Sequence, residues 1–442
     1  MRKAIDQFKH RNDSTFQFYE FLKESQYWTQ EQHEAYQLQK LHELWAFASV
    51  HVPYYKHLAE ELSLFSIDSW DDFHRIPVLT KDIVRSHFDD MQADNLPRSR
   101  FIKNSTSGST GSNFFFFSDT NQLPVHSAYT IFKFDLMGLD FFKTLKMSVW
   151  GSSFDTTRAT SGLKKKFGLW LKNLIVVSEY ELSEEKLKSI IDTINHRKPM
   201  ALQSYPSIFM HIAYYIEKTG ASVHIPVLYS GGEKLFDYQR ETVEKAFHGR
   251  LYDFYGARDM AFIGMSCKDN NQIHIFQENV VFEVLNSQRQ PVTNGEGEVI
   301  VTSLHNYVMP FIRYQIGDQA RIHPYSNNCS CGRHYQLVDE IIGRTFDILH
   351  FPNGISVGGT FWTLLLRAKP GIADFQVRQP QPDQIVIHYV ADDSGKEDFK
   401  SFITEKIREK GGTDVTVQFQ QVDSIPVTQA GKKQFVLAYK ES

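Results

Sequence analysis

At 442 residues the chain is long enough for two or three domains, because single cores rarely grow beyond about 250–300 residues. A formal net charge of −4 gives no electrostatic case for nucleic acid or an anionic membrane as main partner, and no apolar stretch reaches the ~18–20 residues of a membrane span. The opening Met1-Arg2-Lys3-Ala4-Ile5-Asp6 lacks the apolar core of a secretory signal, and three cysteines are too few for a disulfide framework, so a cytoplasmic setting is expected.

The first segment reads helical. Thr29 and Gln32 form a T-x-x-Q capping box ahead of Leu38, Leu41, Leu44, Trp45 and Ala48 at helix spacing, and Pro53 ends that helix. Next comes Thr106-Ser107-Gly108-Ser109-Thr110-Gly111, directly before the apolar run Phe114–Phe117. Its glycines allow a close backbone turn, and its hydroxyls and N–H groups suit phosphate oxygens. Alone, such a cluster is equally a solvated loop. It lacks the following Gly-Lys-Ser/Thr, which disfavours a P-loop NTPase.

Further along, Val227–Ser230 reads as a buried strand and Gly231-Gly232 as a turn. Asp237 caps a helix ending at Gly249, and Leu251–Phe254 is a second strand. This βαβ unit predicts a parallel sheet with ligand sites at strand C-terminal ends, where Gly231-Gly232-Glu233 and Tyr255-Gly256 fall. From about residue 345 the pattern changes to strand Ile385–Val390, a helix carrying Phe399, Phe402, Ile403 and Ile407, and strand Val415–Phe419. The expected fold is α/β: a large N-terminal domain of helix-flanked β-sheets over 1–343, a hinge at 344–347, and a small α+β C-terminal domain over 348–442.

Six segments then stand in a telling order: Thr106–Gly111, Tyr229-Ser230-Gly231-Gly232-Glu233, Tyr255-Gly256-Ala257-Arg258-Asp259, Arg313-Tyr314-Gln315-Ile316-Gly317-Asp318, Gly343-Arg344-Thr345-Phe346-Asp347 and Pro426-Val427-Thr428-Gln429-Ala430-Gly431-Lys432. In this order and spacing the chain resembles the adenylate-forming superfamily, and most of all its phenylacetate–CoA ligase branch, which includes CapK-like proteins of polysaccharide gene clusters. Val52-Pro53-Tyr54-Tyr55 and Ile76-Pro77-Val78-Leu79-Thr80-Lys81 are also similar to that branch.

The resemblance implies activation of a small carboxylic acid by MgATP to an acyl-adenylate, with release of pyrophosphate and AMP as later product. The acyl group then passes to CoA or, alternatively, to an amine on a sugar or small metabolite; a non-catalytic nucleotide-binding relative is the third reading. It implies that Thr106, Ser107, Gly108, Ser109, Thr110 and Gly111 cover the β- and γ-phosphates. Asp259, in place of a more usual glutamate, is the implied ligand of Mg²⁺, a hard cation suited to carboxylate. Tyr255 and Gly256 are placed against adenine with Gly232 and Glu233 at its edge, and Asp318 and Arg344 at the ribose. Lys432 bridges the substrate carboxylate and the α-phosphate, from a mobile C-terminal domain that turns about Asp347. Homodimers are frequent among similar proteins.

Individually these residues have plainer readings: Gly317-Asp318 as a hairpin turn, Arg258-Asp259 as a surface ion pair, Lys432-Lys433 as a solvated turn. The chain also departs from its relatives, with Ser112-Asn113 where the phosphate loop often ends in Lys-Pro. Phe115, Trp150, Tyr205 and Phe262 are candidates for an acyl pocket, or simply core aromatics among 35 Phe and 20 Tyr.

All three cysteines fall into one pattern with a histidine: Cys267, His274, Cys329 and Cys331. Three thiols and an imidazole are the ligand set of a closed structural Zn²⁺ site. The alternative is three reduced cysteines packed as small hydrophobes.

Overall fold

The computed structural model describes residues 13–106, 114–150, 168–170, 172–178, 184–324, 329–344, 349–353, 355–357, 362, 365–366, 371–391, 399–426 and 435–439. The residues group into two units, Met1–Ile316 with Arg321–Glu340, and Gly317–Ala320 with Ile341–Ser442.

The first unit begins with helices α1 (Asp13–Ser25), α2 (Gln30–His51) and α3 (Pro53–Leu62). The Thr29/Gln32 capping box is present, and Leu41, Leu44, Trp45 and Ala48 are buried. Pro53 does more than stop α2: it is the first residue of α3, where its missing N–H costs nothing. Strands β1 (Phe101–Thr106) and β2 (Phe114–Asp119) pair antiparallel, with Thr106 opposite Phe114. Phe114 and Phe116 point into the core, and Phe115 points out.

Helix α4 (Gln122–Leu136) leads into an eight-stranded sheet. In chain order its strands are β3 (Lys146–Trp150), β4 (Leu174–Ser178), β5 (Ala201–Ser204), β6 (Val227–Gly231), β7 (Arg250–Ala257), β8 (Ala261–Ser266), β9 (Ile273–Ile275) and β13 (Leu337–Val338). The spatial order is β13-β9-β8-β7-β6-β5-β3-β4. Pairing is parallel from β4 to β7 and antiparallel from β7 to β13. Helices α5 (Glu184–Arg197), α6 (Pro206–Thr219) and α7 (Asp237–Phe247) cover one face through Ile190, Phe209, Ile212 and Phe247. Helices α1 and α4 cover the other through Leu22, Tyr129 and Phe132.

On that second face the buried Glu278 accepts hydrogen bonds from Ser25, from Tyr335 (2.9 Å) and from Tyr129 (3.4 Å), which ties α1 to the body. Burial pushes its pKa up.

The α7 boundaries differ from expectation at both ends. Phe236 is the N-cap and Asp237 the first helical residue, where its charge still favours the helix dipole. At the other end His248, not Gly249, adopts the left-handed turn, with φ 51°. Gly249 is required for another reason: a Cβ there would lie 1.9 Å from the Ile225 carbonyl.

Strands β10 (Val280–Leu285) and β11 (Gly295–Ser303) pair antiparallel. Strand β12 (Tyr314–Ile322) has its two ends in the first unit and its middle in the second, and β14 (Glu340–Arg344) runs across the same division. Gly317-Asp318 is therefore strand and not a hairpin turn, with Gly317 at φ 90°.

In the second unit β15 (Leu349–His350) pairs with β16 (Ser356–Val357). A four-stranded sheet has the order β19-β18-β17-β20, from β17 (Ile372–Gln381), β18 (Gln384–Ala391), β19 (Thr416–Gln421) and β20 (Val436–Leu437). Helix α8 (Phe399–Gly411) packs Phe399, Ile403 and Ile407 into this unit's core and leaves Phe402 exposed. Among the described residues no helix is long and apolar enough to cross a membrane.

Candidate functional site

The parallel strands β6 and β7 end side by side, with Gly231 opposite Phe254. A Cβ on Gly231 would lie 2.9 Å from the Phe254 carbonyl, so the pairing requires glycine there. The chain then turns at Gly232 (φ 81°) into Glu233. The Glu233 carboxylate accepts from the Ser207 backbone N–H at 3.1 Å and from its hydroxyl at 3.0 Å. Helix α6 has no side-chain cap of its own at Tyr205. Glu233 thus caps it from a neighbouring loop and adds negative charge at its N-terminus.

Strand β7 carries Tyr255 and Gly256, with a bulge between them. The Tyr255 ring meets Phe282 edge-on at 6.5 Å. A Cβ on Gly256 would lie 2.4 Å from the Ala261 carbonyl, so this hairpin closes only with glycine. Its turn presents two charged residues. Asp259 accepts a 2.9 Å hydrogen bond from the Tyr314 hydroxyl, and Arg258 donates to the Ser105 carbonyl at 3.1 Å. Ser105 is next to last in β1, so the stem of the Ser/Thr/Gly loop, the Arg258-Asp259 turn and the start of β12 converge in the first unit.

The start of β12 is itself firmly held. Leu79 bridges in parallel to Tyr314, through Leu79 N–H to the Arg313 carbonyl and Gln315 N–H to the Leu79 carbonyl, both 2.9 Å. Lys81 donates to the Ile316 carbonyl at 3.2 Å. The Tyr55 hydroxyl donates to the Pro310 carbonyl at 3.0 Å. Arg313 makes two bonds to the buried Glu283, 2.9 and 3.1 Å, and two more to the carbonyls of His74 and Ile76. The early segments containing Tyr55 and Leu79 therefore act on the site by fixing this strand.

Asp318 lies four residues past Tyr314 on β12 and is half-buried. Thr106 ends β1 and Arg344 ends β14; their side chains, like that of Trp150, lie outside the described residues. Ser107, Gly108, Ser109, Thr110, Gly111, Asp347 and Lys432 also lie outside them. Of the proposed acyl-pocket aromatics, Tyr205 and Phe262 pack in the two sheet-face cores. Phe115 is 43% exposed beneath the Lys103 ammonium, which sits 4.8 Å from its ring centre.

Cys267, His274, Cys329 and Cys331 come together, their ligand atoms all within 4.8 Å of one another. Cys267 Sγ lies 3.5 Å from Cys329 Sγ, and Cys331 Sγ lies 3.4 Å from His274 Nε2. A tetrahedral zinc with bonds near 2.3 Å separates its sulfurs by about 3.8 Å, so the spacing fits. His274 Nδ1 lies 3.3 Å from the Gln272 carbonyl, a second-sphere contact that aims Nε2 at the thiols. Burial lowers the imidazole pKa, but the Cys329 and Cys331 partners outweigh it and raise it to about 9. Such a cluster holds protons that a metal ion displaces. It joins the end of β8 and strand β9 to the 329–331 segment at the sheet edge.

Three contributors escape sequence reasoning: Tyr314, which holds Asp259; Arg258, read as a surface ion pair; and Ser207, the partner of Glu233. The first two stand inside quoted motifs, which was the available signal. Ser207 gave none.

The family profile described as the CapK C-terminal domain matches residues 352–438. Over 378 residues the chain is 26% identical to Protein CapK of Staphylococcus aureus, covering 83% of this chain and 80% of that one. It is 24% identical over 349 residues to a phenylacetate-coenzyme A ligase of Thermus thermophilus, covering 76% of each. Its fold is similar to that of 2-hydroxyisobutyryl-CoA ligase in the postadenylation state with R3-HIB-AMP, with TM-score 0.71, 18% identity, and coverage of 94% of this chain and 93% of that chain.

Proposed function

We infer, because the chain belongs to the adenylate-forming superfamily and to its phenylacetate–CoA ligase and CapK-like branch, that it activates a carboxylic acid with MgATP and passes the acyl group to CoA. The observation that carries this reading is the convergence of Ser105, Arg258, Asp259 and Tyr314, which sets a carboxylate and a cation at the stem of a hydroxyl-rich loop.

The chemistry explains why. A carboxylate and an α-phosphate repel each other, so positive charge must offset both the approach and the charge that develops. In-line attack also needs the reactants held in one geometry. In this proposal the 106–111 backbone covers the outer phosphates and Asp259, oriented by Tyr314, is the residue that holds Mg²⁺. Tyr255 and Gly256 lie against adenine. Gly232 and Glu233 present backbone to its edge, since the Glu233 carboxylate is engaged at Ser207. Asp318 and Arg344 serve the ribose. Lys432 brings a mobile point charge to the carboxylate and the α-phosphate, a role that suits lysine, and Asp347 is the pivot of the second unit. Bound MgATP supplies the electrophilic phosphorus and the leaving group.

The Cys267, His274, Cys329 and Cys331 set has the donor chemistry and spacing of structural zinc. Four protein ligands leave no position for substrate, so its role is to brace the β8–β9 edge.

The match of residues 352–438 to the CapK C-terminal domain favours one second reading, in which the acceptor is an amine. Hydroxylamine trapping across a panel of carboxylic acids tests the shared first step, with hydroxamate expected for one class of acid. Stoichiometric consumption of CoA then supports a thioester product. Product formation only with an added amine selects the second reading, and absence of hydroxamate across the whole panel rejects both.

A further inference from the structure

We propose that Lys133 sets the substrate class: the acid activated here carries a second carboxylate at its far end, which pairs with the Lys133 ammonium among the aromatic rings between α4 and strands β6 to β8. This rests on the adenylating reading above and adds to it the chemistry of the acid.

The Lys133 Nζ lies 4.9 Å from the centre of the Tyr229 ring and 5.8 Å from those of Phe134 and Phe254. Ring faces attract a cation, but they do not replace a carboxylate where water is scarce. Among the described residues neither the Lys133 ammonium nor the hydroxyl of the buried Tyr229 has a hydrogen-bond or ion-pair partner. Burial alone lowers the Lys133 pKa to about 8. By contrast, Arg313 pairs with Glu283, Glu278 accepts from Tyr335, and Lys146 donates to the Phe141 and Thr144 carbonyls.

Packing leaves this place part-open. His126, Thr130 and Lys133 share one stripe of α4 and are all half-buried, as are Phe254 and Phe262. The contacts also give it a direction. Phe262 pairs with Gly256 across the β7–β8 hairpin and meets the His126 ring at 6.0 Å. The Phe254 ring lies between Gly231 and Gly256, since a Cβ on either would come 3.0 Å from it. Lys133, about two turns beyond His126 on α4, meets Tyr229, which precedes Gly231 by two residues and so lies about 7 Å below the end of β6. A reacting carboxylate at the strand ends and an anion at Lys133 are therefore separated by the length of a small diacid, with ring faces along its body.

In the reaction an oxygen of the first carboxylate forms the bond to the α-phosphorus. The bond from that phosphorus to the bridging oxygen breaks, and its electron pair leaves on pyrophosphate. The second carboxylate stays ionised at Lys133 and is not consumed. A monoacid of equal length would leave the ammonium facing an apolar end, and a buried polar group left unpaired is a strong means of rejection.

The test is acid-dependent pyrophosphate exchange by the full chain, read as kcat/KM for matched pairs: short straight-chain dicarboxylates against monoacids of the same length, and 4-carboxyphenylacetate against phenylacetate. Wild type is expected to favour one diacid over its monoacid by about 10- to 100-fold, the range of one charge-assisted contact. Lys133→Met is expected to lower that diacid by a similar factor and to raise the monoacid, and Tyr229→Phe to lower the diacid several-fold. Calorimetric ATP binding reports that each variant is folded, and the wild-type preference decides the matter without any variant. Monoacids used as well as or better than every diacid, a preference that survives in Lys133→Met, or equal losses for both acids overturns the proposal alone. A wild-type protein that supports exchange with no acid of either class overturns the adenylating reading with it.

Discussion

Tyr314→Phe removes one oxygen from a side chain that is otherwise fully packed. The ring is buried, stacked on Phe311 at 4.7 Å and on Phe114 at 6.3 Å, and none of this depends on the hydroxyl. What disappears is the 2.9 Å donor to Asp259. A hydrogen bond to a charged acceptor contributes about 1.5–3 kcal/mol, and here that energy fixes the orientation of the carboxylate proposed to hold Mg²⁺. Because Asp259 is half-buried, water can replace the lost donor, and the change in folding stability is expected to stay below about 1 kcal/mol. The rate of adenylate formation is expected to fall roughly 10- to 100-fold. A double-mutant cycle with Asp259→Ala, read by acid-dependent pyrophosphate release, separates the effects. If Tyr314 acts through Asp259, its hydroxyl no longer matters once Asp259 is gone. Independent, additive losses, or no loss in Tyr314→Phe, would refute the reasoning.

Three further outcomes follow from named contacts. Glu283→Gln leaves the buried Arg313 guanidinium without its ion-pair partner and should lower stability by about 3–5 kcal/mol in urea titration; a loss under about 1 kcal/mol would contradict the buried pair. Burial raises the Asp253 pKa to about 6, against the counter-pull of Arg240 and Lys234. The folded state then binds this proton more tightly than the unfolded state, whose value is near 3.9, so stability falls as pH rises from about 4 to about 6, by up to ~3 kcal/mol. Asp253→Asn should remove that slope and be the more stable protein at pH 7, and a variant less stable there would count against it. Metal analysis of untagged protein should find one zinc per chain, with a lowered melting temperature after chelation; well under one zinc would remove the assignment of the Cys267, His274, Cys329 and Cys331 cluster.

What could be read from the chain beforehand was mostly local or strictly ordered. The Thr29/Gln32 box spans three residues, and the β6–α7–β7 unit announces itself by a buried apolar run, a turn and a second run. The three cysteines and His274 were legible because no cysteine falls outside the pattern. The contacts that build the site were not legible, because they join residues far apart in sequence: Arg258 to Ser105, Tyr314 to Asp259, Glu233 to Ser207. Each of those residues has an ordinary local reading that only its distant partner replaces. His248 and Gly249 show the same limit at short range. The sequence ends the helix at Gly249, whereas the helix stops at Phe247 and the close approach of the Ile225 carbonyl is what demands the glycine.

The most direct test of the account is exchange of labelled pyrophosphate into ATP by the purified chain, with and without carboxylic acids. The account predicts exchange only when an acid of the right class is present, and its loss in Lys432→Ala while ATP binding persists. Acid-independent hydrolysis of ATP to ADP and phosphate, or exchange unaffected by Lys432→Ala, would contradict it.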